Sequence, residues 1–282
     1  TLSSSSAASD VYKRQDSALT RFDLLPPDVP TGGAHASPLP APPAIGARIS
    51  LASAAHRPDG GARVLADGIV LLRGAITLDS QNEIVALCRE AGVGDGGFAV
   101  PRPGGSADAS ARLHLQMFCF GSHWDAASGR YLEGRPGGPR CAPIPDALWR
   151  LVEGAAAEAS RACAAVPPVA PGVCLVNHYT HSGRLAFHRD ASESAERLRA
   201  GSPVVSLSIG DAADFAIAPV HPDAAPPDAP RPLTVRLESG DVLVFGGPAR
   251  LWFHSVLRVR RGERPSGLRM VPGRLNLTFR EL

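Results

Sequence analysis

The chain has 282 residues, 44% of them hydrophobic and 20% charged, and its formal net charge is +2 at pH 7. These values are typical of a globular protein with one large or two small domains, and they exclude binding to nucleic acid through overall positive charge. No run of 18 or more apolar residues occurs, so no membrane-spanning helix is predicted. The five cysteines are scattered and form no C-x-x-C pair, which argues against a zinc ribbon or a disulfide framework. An intracellular location is therefore expected, either cytoplasmic or, in a eukaryote, nuclear or organellar.

The first 62 residues are not expected to belong to the folded core. Residues 10–15 (DVYKRQ) resemble a translated sequencing adapter, and Lys13 is the only lysine in the chain. We therefore expect residues 1–15 to be an assembly scar. Residues 16–62 are rich in Pro, Ala, Gly and Ser without sustained periodicity, and this composition predicts a disordered arm.

Residues 63–170 predict an N-terminal extension of mixed helix and strand. The apolar run 69–72 suits a buried strand, and a helix beginning at residue 79 or 80 is expected to end near residue 92. Alternating apolar residues over 113–117 predict another strand. A second helix is expected over 146–163, before two prolines.

Residues 171–282 change character and predict an all-β core. Short apolar runs separated by turn glycines are typical of a sandwich or a jelly roll. The connection 219–232 holds six prolines in fourteen residues and is expected to be an exposed insert. The predicted strands are residues 173–176, 185–187, 204–209, 215–218, 233–237, 242–245, 251–253 and 275–279.

His188 and Asp190 follow one of these predicted strands, two positions apart. On a strand both side chains point to the same face, so an imidazole and a carboxylate would lie side by side. They are two thirds of a 2-His-1-carboxylate facial triad, which leaves open positions on non-haem Fe(II); a surface or turn pair is the alternative. A protein-kinase catalytic loop is excluded, because it needs Asn five residues after the Asp, where this chain has Ala195. A cupin-type isomerase would usually show His-x-His instead.

The other candidate ligands lie further along the chain. His254 follows the predicted strand 242–245, at a place where a jelly roll would fold it back onto His188 and Asp190, although a structural histidine is the alternative. If the polar face of the last strand lines a barrel, its arginines need an anionic partner, because an unpaired buried guanidinium is costly. A dicarboxylate co-substrate would satisfy them, whereas a surface strand would pair them with acidic neighbours. That polar face carries Arg274, Asn276, Thr278 and Arg280.

Taken together, these motifs resemble the AlkB family of Fe(II)/2-oxoglutarate dioxygenases, in particular its homologues in plants and some bacteria. The resemblance covers about residues 64–282. It implies an α+β, mainly β fold: a double-stranded β-helix (jelly roll) with flanking N-terminal helices and a substrate-recognition lid. The residues that carry it are Asn177-x-Tyr179, His188-x-Asp190, residues 203–210, Gly240-Asp241-Val242, His254 and Arg274-x-Asn276-x-Thr278-x-Arg280.

The resemblance also implies residue roles and cofactors. Fe(II) would be held by the catalytic residues His188, Asp190 and His254. The co-substrate 2-oxoglutarate would be held by two arginines and three polar side chains: Arg274, Arg280, Asn177, Tyr179 and Asn276. With O₂ as oxidant, the family hydroxylates an N-alkyl carbon, which leaves as an aldehyde.

The substrate side is implied by the segment around Met117 and Trp124, which resembles the first recognition segment of the family. Trp124 and Tyr131 lie seven apart, as in its base-stacking pair, and an aromatic face can hold any flipped base; a core aromatic is the alternative. The family often has an acidic residue two positions after the metal Asp. Here that position is Ser192, with Glu193 next to it.

We therefore expect an oxidative demethylase of N-methylated bases, a monomer whose partner is methylated single-stranded DNA or RNA. A 2-oxoglutarate-dependent hydroxylase or demethylase of a protein or small molecule is the alternative, and a catalytically silent nucleic-acid-binding module is a third hypothesis. The Pro-rich insert replaces a segment where relatives place a substrate-contacting Arg, and Arg231 is a candidate substitute. The segment before the last predicted strand is rich in arginine. These side chains would either contact phosphates or belong to a solvated loop. They are Arg258, Arg260, Arg261, Arg264 and Arg269.

Overall fold

The structure is a computed structural model, and the residues it describes are 49–57, 61–94, 96–100, 115–180 and 183–282. The scar expected at residues 1–15 and the predicted arm up to residue 48 lie outside the described residues. So do residues 113–114, the start of a predicted strand.

The described residues form thirteen strands and three α-helices. The strands are β1 Ala62–Ala66, β2 Ile69–Leu72, β3 Gln116–Phe120, β4 His123–Asp125, β5 Arg130–Leu132, β6 Val173–Tyr179, β7 Leu185–His188, β8 Val204–Gly210, β9 Ala213–Ala218, β10 Leu233–Leu237, β11 Val242–Phe245, β12 Phe253–Val259 and β13 Arg274–Arg280. The helices are α1 Leu78–Val93, α2 Asp146–Ala162 and α3 Ala195–Arg199. None of the described helices is long and apolar enough to cross a membrane.

Most strands belong to two antiparallel sheets. The larger sheet has seven strands in the order β1-β2-β11-β8-β13-β6-β3, and the smaller has four in the order β10-β9-β12-β7. The remaining pair, β4 and β5, forms a separate hairpin. The fold is therefore a jelly roll with few helices, as predicted.

Both faces of the larger sheet are covered, so β6, β8, β11 and β13 are buried along their whole length. This explains why three of them contain nearly continuous apolar runs. On the outer face, Val205 and Leu277 lie in one core with Ile84 of α1 and Leu148 of α2. On the inner face, side chains such as Phe245 pack with residues of the smaller sheet. The candidate site lies on this inner side.

Helix α2 begins at Asp146, as predicted, and its C-cap is Cys163. Helix α1 begins slightly before its predicted start, because the side chain of Thr77 caps it by accepting a hydrogen bond from the Ser80 amide.

The predicted strand over 251–253 is wrong in its first two residues, because the observed strand begins at Phe253. The preceding residues form a 3-10 turn, Gly247–Ala249, and Leu251 is exposed. Gly247 has φ +53°, and an added Cβ there would lie 2.0 Å from the Ala165 carbonyl oxygen, so the chain must turn at this glycine. The strand that follows is β12, and it carries His254 at its second position.

The end of the predicted arm is ordered, since residues 49–57 pack onto the fold. Arg57 is buried and forms an ion pair with Glu158 of α2 at 2.7 Å. Leu51 makes an isolated bridge to Ile76. Local sequence patterns do not reveal a contact between residues 101 positions apart.

The predicted boundary between an extension and a core is not a boundary between sheets. Strands β2 and β3 precede residue 171, yet both belong to the larger sheet. The insert 219–232 is largely exposed, as predicted. All five cysteines are free.

Candidate active site

The three predicted metal ligands lie together at the mouth of the jelly roll. Strands β7 and β12 are antiparallel neighbours, and their register places His254 opposite His188. Asp190 follows β7 by two residues and turns towards both rings. One ligand atom from each of the three side chains lies within 4.8 Å of the other two. Sequence reasoning from a local pair and a distant histidine therefore identified one cluster.

Main-chain carbonyls orient both imidazole rings. His188 Nδ1 lies 2.9 Å from the Ala186 oxygen, and His254 Nδ1 lies 3.3 Å from the Trp252 oxygen. A carbonyl oxygen only accepts, so the hydrogen of each neutral ring is on Nδ1. The Nε2 atoms then present their lone pairs near Asp190, at 3.8 Å and 3.7 Å from its carboxylate oxygens. This is the tautomer that a metal ligand needs.

The charge state of the cluster also suits a divalent cation. Burial alone would raise the pKa of Asp190, but Arg280 and the two histidines outweigh it and hold the pKa below its ordinary value. Burial lowers the pKa of His254 to about 4, so this ring is neutral near pH 7. Asp190 is only 6% exposed, and among the described residues its Oδ2 has no hydrogen-bond partner. A buried carboxylate oxygen without a donor fits a site that a cation completes.

The predicted 2-oxoglutarate residues share one face of the larger sheet. In the pairing of β13 with β6, Arg274 lies opposite Tyr179 and Asn276 lies opposite Asn177. A cavity opens between this face and the metal cluster. Its polar walls beyond the metal ligands are Asn177, Tyr179, Ser206, Asn276, Thr278 and Arg280.

The Arg274 guanidinium fits an anionic ligand. It is 1% exposed, and its Nη2 donates to Ser208 Oγ at 2.8 Å. Among the described residues its Nε and Nη1 have no hydrogen-bond partner. Burial lowers the pKa of Arg274 to about 10, which still leaves it charged at pH 7. A buried cation with free donors is costly unless a carboxylate pairs with it.

Arg280 and Asn276 are held by the protein itself. Arg280 Nη2 lies 2.6 Å from Asp190 Oδ1, so this arginine is the one next to the metal cluster. Burial alone would lower the pKa of Arg280, but Asp190, Tyr131 and Glu193 outweigh it and raise the pKa. Asn276 Nδ2 donates to Ser206 Oγ and to the Leu207 oxygen, both at 2.8 Å. With both amide hydrogens engaged, Asn276 shapes the wall of the cavity.

A second cavity connects the metal cluster to the predicted substrate residues. One side is formed by Met117, Trp124 and Ser192, and another by His188 and Asp190. Trp124 Nε1 donates to Ser192 Oγ at 3.1 Å, which fixes the indole at the edge of the hairpin. Three of the four predicted substrate residues thus lie on one cavity wall.

The fourth predicted substrate residue, Tyr131, is placed differently. It lies opposite Trp124 in the β4–β5 hairpin but does not line this cavity. Its hydroxyl lies 2.9 Å from Glu193 Oε1 and 2.7 Å from Arg280 Nη1. Its stacking role stays a prediction.

Sequence reasoning missed Arg250. Its guanidinium is 3% exposed and donates to Ser202 O, Asp190 O and Glu193 Oε2, at 2.6 to 2.7 Å. The signal was an arginine within an otherwise uncharged segment just before His254.

The proposed phosphate contacts receive little support from geometry. Arg258 and Arg260 both pair with Asp214, at 2.5 Å and 2.7 Å, so part of the predicted basic excess is neutralised. At about 3.3 Å per residue, Arg258 lies about 13 Å along β12 from His254. Arg231 is exposed and lines neither cavity.

Comparisons with known proteins support an Fe(II)/2-oxoglutarate site. The 2OG-Fe(II) oxygenase superfamily model matches residues 68–280. The chain is 41% identical over 233 residues to the DNA N(6)-methyladenine demethylase ALKBH1C of Arabidopsis thaliana, covering 77% of this chain and 49% of that protein. It is 37% identical over 177 residues to the Alpha-ketoglutarate-dependent dioxygenase AlkB homolog of Caulobacter vibrioides, covering 60% of this chain and 69% of that protein.

A solved structure shows the same fold. The structure of OsALKBH1 has a TM-score of 0.70 and 38% sequence identity, and the match covers 78% of this chain and 100% of that chain. The chain spans about half the length of the Arabidopsis relatives, 49% and 50%. The superfamily uses Fe(II), 2-oxoglutarate and O₂, and the cluster of His188, Asp190 and His254 suits the iron. The chain belongs to the AlkB family of 2OG-Fe(II) oxygenases.

Proposed function

We propose that this chain is an oxidative demethylase of N-methylated bases in single-stranded DNA or RNA, with N6-methyladenine in DNA as its first candidate substrate. The observation that carries the proposal is the cavity bounded by Trp124 on one side and by the metal ligands His188 and Asp190 on another. A base held there would present its methyl group to the metal. The two Arabidopsis relatives are named DNA N(6)-methyladenine demethylases, which supports N6-methyladenine as the candidate.

The contacts of the site residues support the following cofactor roles. Fe(II) would be held by His188, Asp190 and His254. Arg274 would pair with the far carboxylate of 2-oxoglutarate beside Tyr179, while Arg280 would lie near the other end and Asn177 would line the wall. When bound, Fe(II), 2-oxoglutarate and O₂ supply the chemistry that hydroxylates the methyl carbon, with 2-oxoglutarate converted to succinate and CO₂. The hydroxymethyl product then releases formaldehyde and leaves the unmethylated base.

The protein's part is to hold the base and exclude water. The indole of Trp124, fixed through Ser192, offers a stacking face, and stacking contributes about 1–3 kcal/mol per base. Met117 adds an apolar wall beside it. Because Ser192 Oγ accepts the indole N–H, its own hydrogen is available to donate to a ring nitrogen.

The charge of the cavity favours a neutral base. Glu193 is engaged by Arg250 and Tyr131 rather than lining the cavity. Among the described residues that line it, the carboxylate is Asp190, which is already a metal ligand. A methylated base that carries a positive charge would gain no free carboxylate here, whereas N6-methyladenine is neutral.

The test is a product assay with Fe(II), ascorbate and 2-oxoglutarate. Single-stranded oligonucleotides would carry N6-methyladenine, 1-methyladenine or 3-methylcytosine, in DNA and RNA, beside methylated peptides. We expect formaldehyde and succinate to rise together on N6-methyladenine DNA and more slowly on the cationic bases. Succinate and formaldehyde from peptides alone would move the substrate to protein.

A variant pair tests the wall of the cavity. Trp124→Ala is expected to weaken oligonucleotide turnover, whereas Trp149→Ala on α2 serves as the matched control. Equal effects of the two changes would remove Trp124 from the substrate site. An intracellular location and a monomeric state stay predictions.

A further inference from the structure

The hydroxyl of Tyr131 lies at the centre of a buried polar network. This network lies between the β4–β5 hairpin, called the recognition hairpin below, and the metal cluster. The hydroxyl is 2.9 Å from Glu193 Oε1 and 2.7 Å from Arg280 Nη1. Since a guanidinium only donates and a carboxylate only accepts, the hydroxyl accepts from Arg280 and donates to Glu193. Both functions of the hydroxyl are therefore used.

The two partners of Tyr131 each lead to Asp190, one to its carboxylate and the other, through Arg250, to its main-chain oxygen. Arg280 bonds Asp190 Oδ1 through Nη2 at 2.6 Å. Glu193 bonds Arg250 Nη2 at 2.7 Å, and Arg250 Nη1 bonds the Asp190 main-chain oxygen at 2.6 Å. A closed loop of contacts therefore runs from Tyr131 through both arginines to Asp190.

The loop joins parts of the chain that are far apart in sequence. Tyr131 lies on the hairpin strand β5, and Glu193 on the loop that carries Asp190. Arg280 ends β13, and Arg250 precedes β12. In the protein interior a buried polar network of this kind favours one arrangement, because breaking a contact removes compensation from a buried charge. The hairpin position and the metal carboxylate are thus mechanically connected.

The ring of Tyr131 is not part of the cavity lining. The cavity above the metal cluster is walled by Trp124 and Met117, and Tyr131 is outside its lining. Burial raises the pKa of Tyr131, so the hydroxyl keeps its proton and its donor role.

We propose that Tyr131 is a positioning residue. Its hydroxyl holds the recognition hairpin against the loop that carries Asp190, and it fixes Arg280 against Asp190. The inference rests on the proposed function only in taking the hairpin as the substrate side. Displacement of the hairpin frees Arg280, and Asp190 then loses one of the two arginines that hold it. Iron binding and substrate recognition are coupled through one oxygen atom.

Tyr131→Phe tests the proposal, because it keeps the ring and removes the oxygen. Mn(II), used without O₂ in place of iron, would be titrated into wild type and variant by calorimetry. Loss of outer contacts to a metal ligand typically lowers metal affinity by about 10- to 100-fold, and we expect a loss of about tenfold. Hydrogen exchange of the amides over 123–132 is expected to be faster in the variant. In turnover, less formaldehyde should form per succinate.

The result that overturns the proposal is a Tyr131→Phe protein with wild-type Mn(II) affinity, hairpin exchange and product ratio. That result would mean that the ring of Tyr131, and not its hydroxyl, makes the contribution. Metal affinity and hydrogen exchange need no nucleic acid, so an incorrect substrate assignment leaves this test unaffected.

A second variant tests the contacts of Arg250, which lie on the other side of this closed loop of contacts. Arg250→Lys keeps the positive charge but replaces a three-way fork with one ammonium group. We expect it to lower Mn(II) affinity as Tyr131→Phe does. Arg236→Lys, at an exposed arginine on β10 paired with Glu238 and Glu263, is the matched control and should leave Mn(II) affinity unchanged. An equal loss of affinity in both lysine variants would contradict the loop.

Discussion

Replacing Arg274 with methionine separates the binding role of this residue from its effect on stability. The guanidinium is 1% exposed, and among the described residues two of its nitrogens lack hydrogen-bond partners. Without a bound dicarboxylate, the protein therefore carries a poorly compensated buried charge. Methionine keeps a long side chain and removes that charge.

The size of the effect follows from the electrostatics of the site. Burial lowers the pKa of Arg274 from its ordinary value to about 10. At about 1.4 kcal/mol per pKa unit, this corresponds to about 3 kcal/mol of unfavourable free energy in the charged state. Loss of the bond to Ser208 and imperfect packing of methionine oppose the gain. We expect the free energy of unfolding of the ligand-free protein to rise by about 1–3 kcal/mol in Arg274→Met.

The assay is chemical denaturation with and without 2-oxoglutarate, in the presence of Mn(II). For wild type, ligand at 100 times its Kd should add about 2.7 kcal/mol to the free energy of unfolding. Arg274→Met should gain nothing from the ligand, whereas the exposed control Arg236→Met should behave as wild type. The reasoning is refuted if Arg274→Met is less stable than wild type without ligand and is still stabilised by 2-oxoglutarate.

Three further predictions concern the metal cluster and its surroundings. His188→Ala should abolish iron-dependent turnover and leave the fold intact, because the side chain is 35% exposed and contributes little core; a lost thermal transition would count against a ligand role. Arg280→Ala should weaken 2-oxoglutarate use far more than Arg231→Ala, measured as KM, and equal effects would remove β13 from the co-substrate site. The pKa of His254 is lowered from 6.5 to about 4, so folding favours the neutral ring. Stability of the metal-free protein should therefore fall as pH drops from 6.5 towards 4, and His254→Gln should flatten that slope in denaturation curves.

The site residues that sequence predicted share simple local geometry. His188 and Asp190 are two apart at a strand end, and strict alternation along β13 placed Arg274 and Arg280 on one face. This alternation can be recognised in the sequence, because a strand that packs against the core needs an apolar face. The jelly roll then brought His254 opposite His188 through strand pairing.

The contacts of Arg250, Ser206 and Ser208 were not predicted, and they join residues far apart in sequence. Arg250 and Glu193 are 57 positions apart and pair only after two loops meet beside the metal cluster. Ser206 and Ser208 interrupt the apolar run of β8 at alternate positions, and they accept hydrogen bonds from Asn276 and Arg274 of the neighbouring strand. The start of β12 was misplaced because a glycine turn, not hydrophobicity, determines it.

The most direct test of the central claim is the ratio of formaldehyde to succinate on single-stranded DNA with one N6-methyladenine, in the presence of Fe(II), O₂ and 2-oxoglutarate. We expect one formaldehyde per succinate, with the modified base recovered as adenine and no products from Arg274→Met. Succinate that accumulates while the N6-methyladenine remains intact would contradict the assignment of this substrate.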